Sequence, residues 1–375
     1  MMIRLYSCFL LFLATLMAAS ASASASHPVI KSGYWASWLD TLPPSSIDTT
    51  LFTHIYYAFL VPSNITYKFE VTNSTALLMS NFTTTLRFND PPVKTLVSIG
   101  GAELPDPLVF AKMASNSFSR SEFINSSIEV ARKFGFDGMD LDWEFPANQD
   151  EMRDLGILLK EWRAAIEEEA ATTGRPSLYL AAAVYYSVNV LRDNVYRKYP
   201  VESMVEHMDW INPMTYDYHG SWEPTRTGAH TALFDPKSNL STNYGLMSWI
   251  EAGVPKQMLV MGLAMYGRVW DLEDPNANWV GAPSVAPGPN ISTLTFSQIE
   301  EFNKANGSTV VHDIDTVSTY SFAGTKWVGY DDELAVMKKL WYAQVLGIRG
   351  YFFWNIDGDS DWKISKQASK AWVLK

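Results

Sequence analysis

Phe136-Asp137-Gly138-Met139-Asp140-Leu141-Asp142-Trp143-Glu144-Phe145-Pro146 is the stretch that decides how this 375-residue chain folds. Successive side chains of a β-strand point to opposite faces. Asp140, Asp142 and Glu144 therefore share one face, and Met139, Leu141, Trp143 and Phe145 share the other. Asp and Glu are poor strand formers, and like charges two residues apart on one face repel, so a fold that accepts this cost has a use for it. Such a set cannot be fully ionised near neutral pH; its protons are shared and its titration belongs to the group. A carboxyl kept protonated is what a general acid requires. A solvated edge-strand face or an Asp-rich cation site is the competing account, but the flanking Gly, Trp and Phe suit burial and an outer edge favours Lys or Thr. Trp143, opposite the carboxylates, is expected in the core.

Outward from this strand, short apolar β-rich runs alternate with amphipathic helical patterns. The strand candidates are 33–38, 52–60, 95–99, 138–143, 178–186, 210–214, 258–265 and 350–354. Between them, stretches such as 119–134 and 152–170 repeat apolar residues at helical spacing, with Lys, Arg and Glu on the other face. Strands buried on both faces read as continuous apolar runs and need crossover helices, so the expected fold class is α/β, a (β/α)8 TIM barrel. In such a barrel the inward face of a strand's C-terminal end opens into the active site. Pro146 closes the strand just past Glu144, which puts Glu144 at the rim with Asp142 and Asp140 progressively deeper. The long interval between strand 7 and strand 8 breaks the rhythm. A small α+β insertion over about 271–333 fits it better than a structureless loop.

Residues 1–26 carry Arg4, a Leu/Phe/Ala run and an Ala-Ser exit, the pattern of a cleaved signal peptide; 27–375 is then the catalytic domain. Sequons at Asn64, Asn73, Asn81, Asn125, Asn239, Asn290 and Asn306 agree with secretion and mark candidate glycosylation sites. Extracellular or apoplastic delivery is expected, with the vacuole open, and no membrane association once the leader is gone. The lone Cys8 falls inside the leader, so a barrel of about 350 residues stands without disulfides. A formal net charge of −11 makes nucleic acid an unlikely partner, because phosphate binding draws on clustered Lys and Arg. The six histidines are scattered without a ligand motif, and a metal would compete for the acid's proton, so no metal and no cofactor is implied.

The carboxylate run, with the wider chain, resembles glycoside hydrolase family 18, in particular the plant class V chitinases. Asp137 to Glu144 matches that family's Asp-Gly-x-Asp-x-Asp-Trp-Glu motif without a gap. Ser98-Ile99-Gly100-Gly101 looks like its third-strand motif, Met214-Thr215-Tyr216-Asp217 like its sixth, and Tyr266-Gly267-Arg268, Trp327 to Asp332 and Trp354 also fit. The resemblance implies a secreted, endo-type enzyme hydrolysing chitin or N-acetylglucosamine oligosaccharides by a retaining, substrate-assisted route. It implies Glu144 as acid and base, Asp142 supporting an oxazolinium intermediate, Asp140 sharing its proton, and Tyr216 orienting the substrate's acetamido oxygen. Trp354 is implied as the floor under the sugar. Asp217 and Arg268 are sugar contacts or a structural ion pair, and Met214, Tyr34, Phe59, Gly101 and Tyr266 line the pocket. Ala102 stands where many animal members have Trp. The alternatives are a lectin-like protein that binds the oligosaccharide without cutting it, and a lipo-chitooligosaccharide (Nod factor) hydrolase. A monomer is expected.

Overall fold

The computed structural model describes residues 28–285 and 291–372. The expected signal peptide and the sequon at Asn290 lie outside the described residues. Eight parallel strands run in the order Ile30–Ala36, His54–Leu60, Lys94–Gly100, Gly138–Asp142, Tyr179–Tyr185, Trp210–Met214, Val260–Ala264 and Gly350–Trp354. Each pairs with its chain-order neighbour except the sixth and seventh, which stand at the two ends of the sheet, and the first pairs with the eighth. A parallel bridge between Ile211 and Leu259 joins the sixth strand to the start of the seventh and closes a nearly complete (β/α)8 barrel.

Helices cover the barrel's outside. Ser117–Phe134 starts where the Asn116 side chain accepts the Phe118 N–H, and it ends at Gly135, whose φ of 78° few other residues adopt cheaply. Gln149–Thr173 is capped in the same way by Asn148, which accepts the Glu151 N–H. The first crossover departs from the pattern: only the short 3-10 turns Pro44–Ser46 and Thr49–Leu51 connect the first two strands. None of the helices among the described residues is long and apolar enough to cross a membrane.

Period-two alternation divides the core into two layers. Met139, Leu141 and Trp143 face outward into the large cluster under the helices, with Phe110, Phe123 and Trp162. Tyr34, Tyr56, Leu96, Trp210 and Phe352 face inward and fill the barrel's lumen. Tyr34 and Tyr56 stack with ring centroids 4.4 Å apart. The lumen is therefore packed at its base, and the site sits on top of a solid floor.

Between strands seven and eight the chain forms a six-stranded antiparallel sheet with one helix, Phe296–Asn306. This excursion begins with strand Tyr266–Leu272 and ends with strand Lys326–Tyr330. Trp270, Leu272, Ala282, Tyr320 and Trp327 give it a small core of its own. Its first strand follows the seventh barrel strand after a single residue, Met265, so the apolar run of sequence hides the point where the barrel ends.

Candidate active site

The three carboxyls of the fourth strand form a ladder. Asp140 is wholly buried in the lumen. Its Oδ2 accepts from the Tyr34 and Ser98 hydroxyls, both at 2.8 Å, and its Oδ1 accepts from Asn212 Nδ2 at 3.3 Å. Burial pushes Asp140 up to about 6, and those hydrogen bonds keep it from rising further. Asp142, one step nearer the mouth, is 3% exposed, and its Oδ1 has no hydrogen-bond partner. Burial first, then the charges of Glu144 and Asp140, push it well above the usual carboxylate range. Glu144 is half-buried at the mouth. Burial and then the charge of Asp217 raise it to about 7, against a smaller pull downward from Arg192.

The third strand makes this spacing possible. Gly101 N–H donates to the Asp142 carbonyl at 2.9 Å. A Cβ on Gly100 would lie 2.0 Å from that same oxygen, so the strands meet this closely only because the side chain is missing. Gly101 does not line the cavity: it is buried, and a Cβ there would meet the Phe59 ring at 2.6 Å. Its part is to let Phe59 lie flat.

A cavity of about 790 Å³ opens above the ladder, and Asp142, Glu144, Tyr216, Asp217, Tyr34, Phe59, Met214, Tyr266, Arg268 and Trp354 all line it. Asp140 lies beneath. Trp354 stacks on Phe59 with centroids 5.5 Å apart, and Phe59 stacks on the half-exposed Trp38 at 5.8 Å, forming an aromatic ledge from floor to solvent. Such faces suit the C–H faces of a sugar ring. Burial, then the neighbouring Tyr266, holds the Tyr216 hydroxyl well above its ordinary value, so it stays a neutral donor. Asp217 and Arg268 form an ion pair at the wall: Nε and Nη2 approach Asp217 Oδ1 at 2.8 and 2.7 Å. Burial alone would raise Asp217, but His230 and Arg268 outweigh it and hold the carboxyl at about 2.

Sequence reasoning left some lining residues unassigned. Trp222 faces the cavity and carries Arg268 over its ring at 5.1 Å. Its place five residues after Asp217, on the same strand-end loop, was the available signal. Arg192 reaches the cavity from the hairpin Asn189–Arg192 and Val195–Lys198, for which the sequence offers no comparable cue. The side chains of Asn64, Asn73, Asn81, Asn125, Asn239 and Asn306 are all exposed, as glycan acceptors must be.

A (β/α)8 barrel whose fourth strand delivers a ladder of raised carboxyls to an aromatic-lined cavity at its C-terminal mouth defines a glycoside hydrolase. The chain belongs to the glycosyl hydrolases family 18, whose model matches residues 31–359. It is 50% identical over 341 residues to a class V chitinase of Medicago truncatula, covering 90% of this chain and 89% of that protein. It is 49% identical over 343 residues to Nod factor hydrolase protein 1 of the same plant, covering 89% and 88%. Among solved structures, a class V chitinase from Nicotiana tobaccum in complex with NAG4 superposes with a TM-score of 0.88. That chain is 37% identical, with 92% of this chain and 99% of it covered.

Proposed function

We propose that the protein hydrolyses β-1,4-linked N-acetylglucosamine polymers and oligomers, cutting within the chain, with retention at the anomeric carbon and the substrate's own acetamido group as nucleophile. The observation that carries this reading is the placement of the buried carboxyl ladder of the fourth strand beneath a cavity lined by Glu144, Tyr216 and Trp354. Glu144, at about 7, keeps a proton to give below that pH. The other carboxyls lining the cavity are engaged: Asp142 is buried with its carboxyl pushed toward the neutral form, Asp217 is tied to Arg268, and Glu223 is held by His219 at 2.6 Å. With no free carboxylate placed to attack carbon, the nucleophile comes from the substrate.

In the first step the bond between C1 and the glycosidic oxygen breaks, and that oxygen takes the Glu144 proton. The acetamido carbonyl oxygen bonds to C1, giving an oxazolinium ion whose positive charge is held by the Asp142–Asp140 pair. Tyr216 donates to the acetamido oxygen and fixes its line of attack, a positioning effect worth several kcal/mol, about 7–11 in the best cases. Trp354 supports the sugar ring from below. Water then attacks C1 and gives its proton to the Glu144 carboxylate, which restores the acid.

The test is incubation with N-acetylglucosamine hexamer, following product lengths and anomeric configuration. Wild type is expected to release β-anomers from internal bonds, and Glu144→Gln to lose about 10²–10⁴-fold in kcat while still binding oligomer by calorimetry. No cleavage by wild type, or undiminished cleavage by the variant, overturns the proposal; binding without product returns the lectin-like reading. A second substrate class, lipo-chitooligosaccharides, draws support from the relative named for Nod factor hydrolysis, and a competition assay between acylated and plain oligomers decides it. Secretion through the leader at 1–26, with glycans on exposed sequons, belongs to the same proposal.

A further inference from the structure

His230 has no part in the scheme above. It lies on the loop between the sixth strand and the helix Thr242–Glu251, and it is wholly buried. Its Nε2 sits 3.2 Å from the Tyr266 carbonyl oxygen, which can only accept, so this contact fixes a proton on Nε2 and not on Nδ1. That Nδ1 lies 3.6 Å from Asp217 Oδ1 and has no hydrogen-bond partner. The imidazole ring packs on the Tyr266 ring, with centroids 5.1 Å apart.

The charged and titratable groups around it come from three elements. Asp217, Arg268 and Tyr266 stand on its cavity side, and Asp331 stands behind it. Asp331 is itself buried and paired to Lys339 at 2.6 Å, and Thr231, the next residue along, donates to Asp331 and accepts from Lys339. His230 is therefore a wedge between an ion pair that faces the cavity and an ion pair at the root of the excursion. Burial favours the neutral ring over the pull of Asp217.

We infer that His230 is a positioning residue for the reaction: it holds Asp217, and through it Arg268, against the cavity wall. Asp217 sits at a φ of 59°, in the left-handed region, and Oδ1 takes both Arg268 N–H groups. The imidazole closes the other flank of that oxygen and keeps water from it, while its Nε2–H anchors the strand that carries Arg268. Without the ring, Asp217 has room for another rotamer and for solvent, and Arg268 loses its fixed partner. The consequence reaches the acid, because the Asp217 charge is part of what keeps Glu144 protonated.

The inference rests on the glycosidase reading of the site, and its test separates the two. Wild type, His230→Ala, His230→Gln and Asp217→Asn are compared on N-acetylglucosamine tetramer across pH. Gln restores an N–H at the Nε2 position, so His230→Gln is expected to keep the wild-type KM and pH profile. His230→Ala is expected to raise KM several-fold with a smaller change in kcat. Its basic limb of kcat/KM should also move to lower pH, toward that of Asp217→Asn, because Glu144 loses a negative neighbour. A merely structural role lowers the amount of active enzyme and moves neither quantity. A folded His230→Ala with the wild-type KM and basic limb overturns the inference, as does a His230→Gln that behaves like the alanine. If the alanine variant does not fold, His230→Asn, too short to reach the Tyr266 carbonyl, replaces it with the same expectations. If wild type cleaves no oligomer, the glycosidase reading fails, and tetramer affinity measured by calorimetry on the same proteins decides the role of His230.

Discussion

Tyr34→Phe tests the carboxyl ladder at its base. The change removes one buried hydroxyl, which donates to Asp140 Oδ2 at 2.8 Å, and keeps the ring that stacks on Tyr56 and meets Trp354 edge-on. Asp140 then retains Ser98 and Asn212, and Asn212 retains Tyr56 at 3.1 Å. A hydrogen bond to a charged group contributes about 1.5–3 kcal/mol, and one pKa unit corresponds to about 1.4 kcal/mol, so Asp140 should rise by about 1–2 units. Starting from about 6, it would then titrate near 7 to 8 and be protonated where the enzyme works. The ladder loses the negative charge that faces the cationic intermediate. At pH 6 the ionised fraction falls roughly 5- to 50-fold, and kcat should fall with it; by pH 8 the gap should nearly close. The assay is kcat against pH on N-acetylglucosamine tetramer for both proteins, with circular dichroism to check the fold. A wild-type to variant ratio that stays constant from pH 5.5 to 8 would refute the reasoning and leave Tyr34 with a contact role alone.

Three further outcomes follow from the same geometry. Asp140 and Asp357, at about 6, and Glu144, at about 7, all titrate above their unfolded values of 3.8 and 4.5. The folded state thus binds more protons between about pH 4 and 7, so stability should rise as pH falls from 8 toward 5, and Glu144→Gln should raise Tm at pH 8 but not at pH 4; calorimetry showing a wild-type maximum at pH 8 contradicts this. Gly100→Ala puts a Cβ 2.0 Å from the Asp142 carbonyl at a φ of 123°, where only backbone movement relieves the clash. It should cost more than about 3 kcal/mol in urea denaturation, and a loss under about 1 kcal/mol would show that the third and fourth strands can part. Lys339→Met leaves the buried Asp331 unpaired and should cost about 3–5 kcal/mol, most of it recovered when Asp331→Asn is added; a double variant no better than the single one speaks against a buried ion pair.

Much of the site was legible because it is local. The period-two placement of Asp140, Asp142 and Glu144 needs nothing beyond strand geometry, and the eight apolar runs that imply a barrel are each contained in a few residues. The strand-end positions of Tyr216 and Trp354 follow once the barrel is granted, since the inward C-terminal ends of all strands converge; Arg268 comes instead from the first strand of the excursion. Gly101 shows where this logic stops. A glycine beside the site looks like a place where substrate approaches, but its missing side chain makes room for the Phe59 ring and lets its N–H reach the Asp142 carbonyl. The first crossover shows the same limit, because a link built from 3-10 turns leaves no helical period to read.

By itself the sequence determined the fold class, the face on which the acids stand and their order of depth, because alternation along one strand is a property of the backbone alone. Tertiary structure decided which proton each acid keeps. Asp140 finds Tyr34, Ser98 and Asn212 at separations of 106, 42 and 72 residues, and Asp142 finds no partner for one oxygen. It also decided that Asp217 is tied to Arg268 with His230 closing its flank, which leaves Glu144 facing a fixed negative charge. Those outcomes depend on desolvation and on contacts between distant segments. Neither leaves a period or a spacing in the chain, so both become visible only when the strands have closed into a barrel.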